Sequence, residues 1–174
     1  MIKQIHDLRI NLKARKWCKL PYPDHPKGCP NYGTRITCPP DAPLIQDYFN
    51  LDEPFYLISV EFDLQSHIKK MFDLHPNWTI KQAKCVLYWQ NSVRKKLKLV
   101  CQQFIDEHPG YSFNDCPEAM GVNVISTAQN HGIPIKVQPE NIVYKIAFAG
   151  VLNGEGNNHG ADELLPVQMP LLFK

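Results

Sequence analysis

The sequence predicts an α/β or α+β fold, in which a small mixed sheet packs with helices and a long loop rich in proline and cysteine caps one end. The segments FYLISVEFDL (55–64) and NIVYKIAFAGVL (141–152) are rich in aromatic and β-branched residues, which is typical of strands. The chain between them has the apolar spacing of helices. We expect a single domain over residues 1–174, with the loop at 18–43 and an α/β core at 55–152.

The first forty residues are expected to hold a short element and then the loop. Apolar residues recur at spacings of three and four in residues 1–17, which predicts a short amphipathic helix or an ordered arm. These apolar residues are Ile2, Ile5, Leu8 and Leu12. Residues 18–43 contain seven of the fifteen prolines. Because proline lacks an N–H and fixes φ, a regular helix or central strand is excluded there, and so long a loop tends to be functional.

Helices are expected between the two strands. Residues 64–75 predict a short helix, and the apolar stripe of 80–108 predicts a long one, with a possible break near Asn91. Residues 116–132 predict a third helix, with Glu118 in its first turn. The polar, glycine-rich segment that follows the second strand leads into a tail whose leucines are expected to dock or to form an edge strand.

The composition is that of a soluble globular protein, with 44 % hydrophobic and 21 % charged residues. No apolar run approaches the ~18–20 residues that span a bilayer, and the basic N-terminus has no apolar signal region. We therefore expect a cytoplasmic protein without a membrane partner. In a reducing compartment, the six cysteines favour metal ligands or reactive thiols over structural disulfides.

The charge is uneven although the net charge is only +2. Residues 1–40 carry eight Lys and Arg side chains against two Asp side chains. Such a basic region suits nucleic acid, a phosphorylated ligand or an anionic metal cluster. A solvated basic face is the plainer alternative.

Three cysteines, Cys18, Cys29 and Cys38, lie in the proline-rich loop. Their spacing is neither that of zinc ribbons and fingers nor that of ferredoxins. Because the loop contains few apolar residues for the cysteines to pack against, we expect the three cysteines to be metal ligands rather than unrelated core residues. We also expect the rigid backbone to leave N–H groups free to donate to sulfur. Three thiolates favour zinc or an iron–sulfur cluster over hard cations.

Two stretches carry a family resemblance. The run GCPNYG....CPP (28–40) and the segment EAMGVNVISTAQNHGIPI (118–135), followed by the second strand, resemble an uncharacterised family of predicted metal-binding, iron–sulfur proteins. The resemblance implies a metal or cluster site with Cys29 and Cys38 as members and Cys18 as a third, but it supplies no reaction. The cysteine set that many members carry before the distal helix has no counterpart in EHPGYSFND, where Cys116 alone follows.

Two further residues are candidates for the site. Cys116, at the start of the third predicted helix, is expected to be a fourth ligand, a working thiol or a helix cap, and the helix terminus should lower its pKa. His25 is a candidate ligand or proton donor, with a structural or exposed role as the alternative. Zinc would need Cys116 or His25 to close a tetrahedral site.

The leading hypothesis is a [4Fe-4S] cluster on Cys18, Cys29 and Cys38, with the fourth iron open or capped by Cys116. An open iron permits enzymatic sulfur transfer to, or removal from, a small heterocycle or nucleotide, with Cys116 or His25 handling protons or sulfur. The alternatives are a zinc-stapled binding module, which would meet nucleic acid or a partner protein through the basic N-terminal region, and an electron-transfer protein. The sequence contains no phosphate-binding loop, Rossmann fingerprint or nucleophile elbow that would name a substrate.

Overall fold

The computed structural model describes residues 1–154 and has the α+β architecture that the sequence predicts. The strands are β1 (Ile2–Ile5), β2 (Phe55–Asp63), β3 (Tyr111–Asn114) and β4 (Ile142–Val151). The α-helices are α1 (Ile45–Tyr48), α2 (Leu64–Leu74), α3 (Ile80–Ala83), α4 (Gln90–Glu107) and α5 (Val124–Asn130). Three 3₁₀ helices cover Leu12–Lys19, Val86–Tyr88 and Pro117–Met120. The prediction for the leucines of the tail lies outside the described residues.

The four strands form one sheet in the order β1-β2-β4-β3. Each of the three pairings is antiparallel, so the sheet is not the mixed one that the sequence suggested. The central pair aligns Tyr56 with Ala149 and Asp63 with Ile142. None of the helices in residues 1–154 combines the length and the apolar character needed to cross a bilayer.

Both faces of the sheet are covered by apolar packing. Helix α4 covers one face with four buried side chains, Val93, Leu97, Cys101 and Phe104. The other face packs against residues of α1, the segment 117–122 and α5, including Ile45, Phe49, Met120, Val122 and Ala128. Neither apolar cluster contains a residue from 18–43. The proline-rich loop therefore lies outside the two apolar clusters of the sheet, although Ala42 near its end is buried.

The N-terminal helix prediction is wrong for residues 2–5. They form β1, in which Ile2 pairs with Ile58 and Ile5 with Phe55, because β2 offers an unpaired edge that outweighs a short helical periodicity. Only Ile5 of the four predicted apolar positions is fully buried. The helical part of the segment begins later, at Leu12.

Two predicted helices are interrupted. The long one breaks between Ala83 and Gln90, upstream of Asn91, where the indole N–H of Trp89 donates to the Lys84 carbonyl at 3.3 Å. The segment 116–132 is also broken, because Gly121 lies in the left-handed region at φ +86° between a 3₁₀ turn and α5.

Candidate metal centre

The first two loop cysteines are held together by their backbones. Cys18 lies in the 3₁₀ helix Leu12–Lys19, and its carbonyl accepts a 2.7 Å hydrogen bond from the N–H of Cys29. Gly28 has φ +86°, and a Cβ built there would lie 2.4 Å from the Cys18 oxygen. The glycine that precedes Cys29 is thus what lets the two chain segments approach so closely.

The third cysteine is anchored at the exit of the loop. The Cys38 carbonyl accepts a 2.9 Å hydrogen bond from the N–H of Ala42. The guanidinium of Arg15 donates to the carbonyls of Pro40 at 2.6 Å and Ala42 at 2.8 Å. The 3₁₀ helix that carries Cys18 therefore also positions the turn that carries Cys38.

The prediction of free N–H groups is wrong for the cysteines themselves. The N–H of Cys29 donates to Cys18, and the N–H of Cys38 donates to the Arg35 carbonyl at 2.9 Å. These two N–H groups stabilise the turns through backbone hydrogen bonds and are therefore not free to donate to a sulfur atom.

The fold brings the three loop thiols close enough for their charges to interact. Burial raises the pKa of Cys18 to about 11, with further contributions from Glu118, Cys29 and Cys38. Burial also raises the pKa of Cys38, and Cys29 adds to that rise. All three thiols are half-buried and free of disulfides.

The donor set suits a soft metal, because three neighbouring thiols are the ligands that zinc and iron–sulfur clusters prefer. Within residues 1–154, no three His, Cys, Asp or Glu side chains are grouped closely enough to hold a single metal ion. The three loop thiols therefore affect one another's pKa but are not converged on one point.

Cys116 occupies the N-cap position of the 3₁₀ helix Pro117–Met120 without a capping hydrogen bond from its side chain, and its N–H donates to the Asn114 side chain at 2.8 Å. Its pKa is raised to about 12, first by burial and then by Glu118 and Asp115. The predicted lowering is wrong, because burial of the thiol outweighs the terminus of a four-residue helix. The cations that oppose the rise are Lys145 and Arg94.

Glu118 is a site residue that the sequence analysis missed. Its carboxylate raises the pKa of both Cys18 and Cys116, so it lies within electrostatic reach of both thiols. The sequence suggested only a residue of a helical first turn. The signal available in the sequence was the suggested resemblance, in which both motifs occur together.

Backbone pairing explains how these distant segments meet. The N–H of Asn11 donates to the Gly121 carbonyl at 2.7 Å, and the N–H of Asn123 donates to the Arg9 carbonyl at 2.8 Å. The backbone N–H of Arg9 also donates to the buried hydroxyl of Thr127 at 3.0 Å. These bonds fix the Cys18 helix against the segment that carries Glu118.

A small cavity adjoins the centre. It has a volume of about 170 Å³, with Trp17 and Glu118 in one part of its wall and Tyr144 and Lys145 in another. A second cavity of about 410 Å³ shares Ile135 and Tyr144 with it. Together they offer room for a small molecule next to Trp17 and Glu118.

His25 stays beside the centre. Its ring lies against Tyr22, with 4.5 Å between the ring centroids, and it is half-buried. The pKa of Tyr22 is raised by burial and then by Cys29, which places this ring pair near that thiol. His25 thus contacts Tyr22, and the three loop thiols lie within electrostatic reach of one another, but within residues 1–154 these candidates do not form a metal-binding group.

The sequence matches no protein-family model, and neither the curated proteins nor the solved structures contain a match. The family suggested by the two motifs stays a prediction, and the function is inferred from the geometry.

Proposed function

We propose that this chain is an iron–sulfur protein that holds a [4Fe-4S] cluster on Cys18, Cys29 and Cys38. The observation that carries the proposal is that three half-buried thiols of one loop act electrostatically on one another, while no residue of that loop belongs to either apolar cluster of the sheet. A loop that lies outside these clusters gains much of its order from other bonds, and metal–sulfur bonds couple binding to folding.

We further propose that the protein is an enzyme acting on a small heterocycle or nucleotide that carries sulfur. A cubane held by three cysteines supplies one open iron as a Lewis acid. Hydrolytic removal of sulfur needs no oxidant, because water gives its oxygen to the carbon of the thiocarbonyl and its two protons leave with the sulfur as hydrogen sulfide.

This chain's own residues have defined roles in that reaction. Lys145 supplies a positive charge to the cavity wall and would bind an anionic part of the substrate. The Trp17 side chain also lines this cavity and would cover an apolar part of the substrate. Glu118, which acts on both Cys18 and Cys116, would hold or move a proton at its carboxylate.

The first test is the iron, zinc and acid-labile sulfide content of protein purified without oxygen. We expect about four irons and four sulfides per chain, with the visible absorption of a cluster. One zinc per chain without iron would overturn the cluster and the enzyme together, and would make the loop a zinc-stapled binding module.

Single cysteine variants test the ligand assignment. Cys29→Ala and Cys38→Ala should lose most of the iron, because each removes one of three thiolates. Cys85→Ala is the matched control, because Cys85 is also a half-buried free thiol but lies outside the cysteine loop, just before the 3₁₀ helix Val86–Tyr88. Equal iron content in all three variants would contradict the assignment.

Iron analysis of a further pair of variants addresses the fourth iron. Cys116→Ala should retain the full iron content if that iron is open, and Glu118→Gln should then reduce turnover without changing the iron content. Loss of iron in Cys116→Ala would instead make Cys116 a ligand and the cluster a closed one, which disfavours chemistry at an open iron.

A further inference from the structure

Three aromatic rings form a stack away from the cysteine loop. The ring of Trp78 lies between those of His75 and Tyr88, with centroid distances of 4.1 Å and 5.1 Å and interplanar angles of 13° and 27°. His75 is exposed, and Tyr88 is 57 % exposed. The two outer rings of the stack therefore face solvent and offer surfaces on which another planar ring can lie.

Exposed apolar side chains surround the stack. Leu74 at the end of α2 is 59 % exposed, and Ile80 at the start of α3 is 52 % exposed. Large apolar groups that gather on a surface mark an interaction site more often than isolated ones do. The stack and these two side chains together are called the stacking surface below.

The helical segment that bears the stacking surface is strongly basic. Residues 64–105 contain eight Lys and Arg side chains and one acidic side chain, Asp73. The cations are Lys69, Lys70, Lys81, Lys84, Arg94, Lys95, Lys96 and Lys98, and all but Lys84 are exposed. Within the part of the chain that the structure describes, none of them forms a salt bridge with an acid. Arg94 lies toward the cysteines, because it acts on the thiol of Cys116, and is not assigned to the stacking surface.

We propose that the stacking surface binds single-stranded nucleic acid. Unpaired bases stack on exposed aromatic rings, and surrounding cations bind the phosphates. Lys81 and Lys84 lie in the segment that joins Trp78 to Tyr88, so phosphate and base would be met by the same stretch of chain. In a duplex the faces of the bases are covered by their neighbours. An acidic peptide could bind the lysines, but it has no base that could stack on the ring of Tyr88.

This surface is distinct from the basic N-terminal region that the sequence suggested for nucleic acid. The N-terminal cations accompany Cys18, whereas the stacking surface belongs to the segment 74–88. It also goes beyond the proposed cluster chemistry, because binding here requires no metal ligand.

Fluorescence anisotropy of the purified, metal-loaded full chain tests the proposal. The probes are labelled oligouridylate and oligothymidylate of about 12 nucleotides and a hairpin duplex, at about 50 mM KCl. Tyr88→Leu keeps an apolar side chain but removes the ring, so affinity for the single strands should fall about 5- to 150-fold. Tyr88→Phe should bind as the wild type does. A preference for oligouridylate would identify RNA as the ligand. Equal affinity for the two oligonucleotides would mean that the surface accepts single-stranded RNA and DNA alike.

Charge variants separate this surface from the N-terminal one. Lys81→Gln/Lys84→Gln should lower affinity and reduce the salt slope by about 0.7 for each phosphate that is no longer neutralised. The charge-matched control Lys13→Gln/Lys16→Gln, in the N-terminal region, should change neither. Circular dichroism of each variant checks that the fold is retained.

Four results would overturn the proposal. The first is that neither single strand binds up to about 100 µM, and the second is that the hairpin binds with the same affinity as the single strands. The third is that binding is lost in Lys13→Gln/Lys16→Gln and not in Lys81→Gln/Lys84→Gln. The fourth is competition by polyglutamate that itself depends on Tyr88, which would assign the surface to an acidic protein.

Discussion

At the scale of single residues, Gly28 decides whether the cysteine loop can close. Its φ of +86° is unfavourable for any residue with a Cβ. A Cβ there would also lie 2.4 Å from the Cys18 oxygen and 2.7 Å from the Lys19 Cα. Both neighbours are backbone atoms, so no flexible side chain can move aside.

Gly33 provides a matched comparison in the same loop. It also has a positive φ, +69°, but nothing lies within 4 Å of a Cβ built there. Gly33→Ala should lower the free energy of unfolding by about 1–2 kcal/mol, the cost of the left-handed conformation. Gly28→Ala should cost more and should also lose the iron, because Cys18 and Cys29 are pushed apart.

Urea unfolding and iron analysis of the two variants measure these effects. If Gly28→Ala retained its iron and lost no more stability than Gly33→Ala, the close approach of Cys29 to Cys18 would not support the centre.

At the scale of elements, sequence patterns predicted the strands with strong β composition and missed those that depend on a neighbour. The predictions for β2 and β4 are confirmed because their aromatic and β-branched residues fit a buried sheet. β1 and β3 each have four residues and are formed by pairing with the long strands. No local pattern in four residues reveals such a partner.

The helix boundaries failed for related reasons. The stacking of Trp89 on Phe62, with 5.0 Å between centroids, is a tertiary contact at the break before α4. Gly121 ends the 3₁₀ turn in a left-handed conformation, and a Cβ there would lie 3.0 Å from Leu12 Cδ2. Both breaks lie where the chain meets another segment, which periodicity alone does not record.

Strand β4 has one position that admits no side chain. A Cβ on Gly150 would lie 2.6 Å from Cδ2 of Phe55 and 3.2 Å from Cδ1 of Phe49, in the packed face of the sheet. Gly150→Ala should therefore lower the free energy of unfolding by about 1–3 kcal/mol through overpacking. For Gly154→Ala, no atom of residues 1–154 beyond the chain neighbour lies within 4 Å of the added Cβ, so the change should be less than about 0.5 kcal/mol. If the two variants were equally stable in urea, the rings of Phe49 and Phe55 would have moved to make room for the added methyl group.

At the scale of the whole molecule, the hydrophobic core and the cysteine loop are stabilised by different interactions. The core lies on the two faces of the sheet, and residues 18–43 contribute to neither apolar cluster. The sequence revealed this division, because the prolines excluded regular structure and the cysteines stood apart from apolar residues. It did not reveal Glu118 or the bonds of Arg9 and Asn11, which depend on the meeting of distant segments.

Removal of the proposed cluster should therefore unfold the loop and spare the core. Lys19, Lys27 and Arg35 are exposed in or beside the loop and are sites for trypsin. Without the cluster, cleavage at these residues should become rapid, while fragments that contain the paired strands β2 and β4 persist. Mass spectrometry of brief digests, before and after chelation, measures this. Cys29→Ala should give the chelated pattern without chelator, and an unchanged pattern would mean that the loop is ordered without metal.

The pairing of β2 with β4 also affects the order in which the parts of the protein fold. These neighbours in the sheet come from distant parts of the chain, so their pairing has a high contact order and forms slowly. The cysteines leave the ribosome early, yet the helix that carries Cys18 is braced by the carbonyl of Gly121 and the N–H of Asn123. Loading of the proposed cluster would consequently be a late, post-translational event, and a nascent chain would hold its thiols unassembled until most of the sequence has been made.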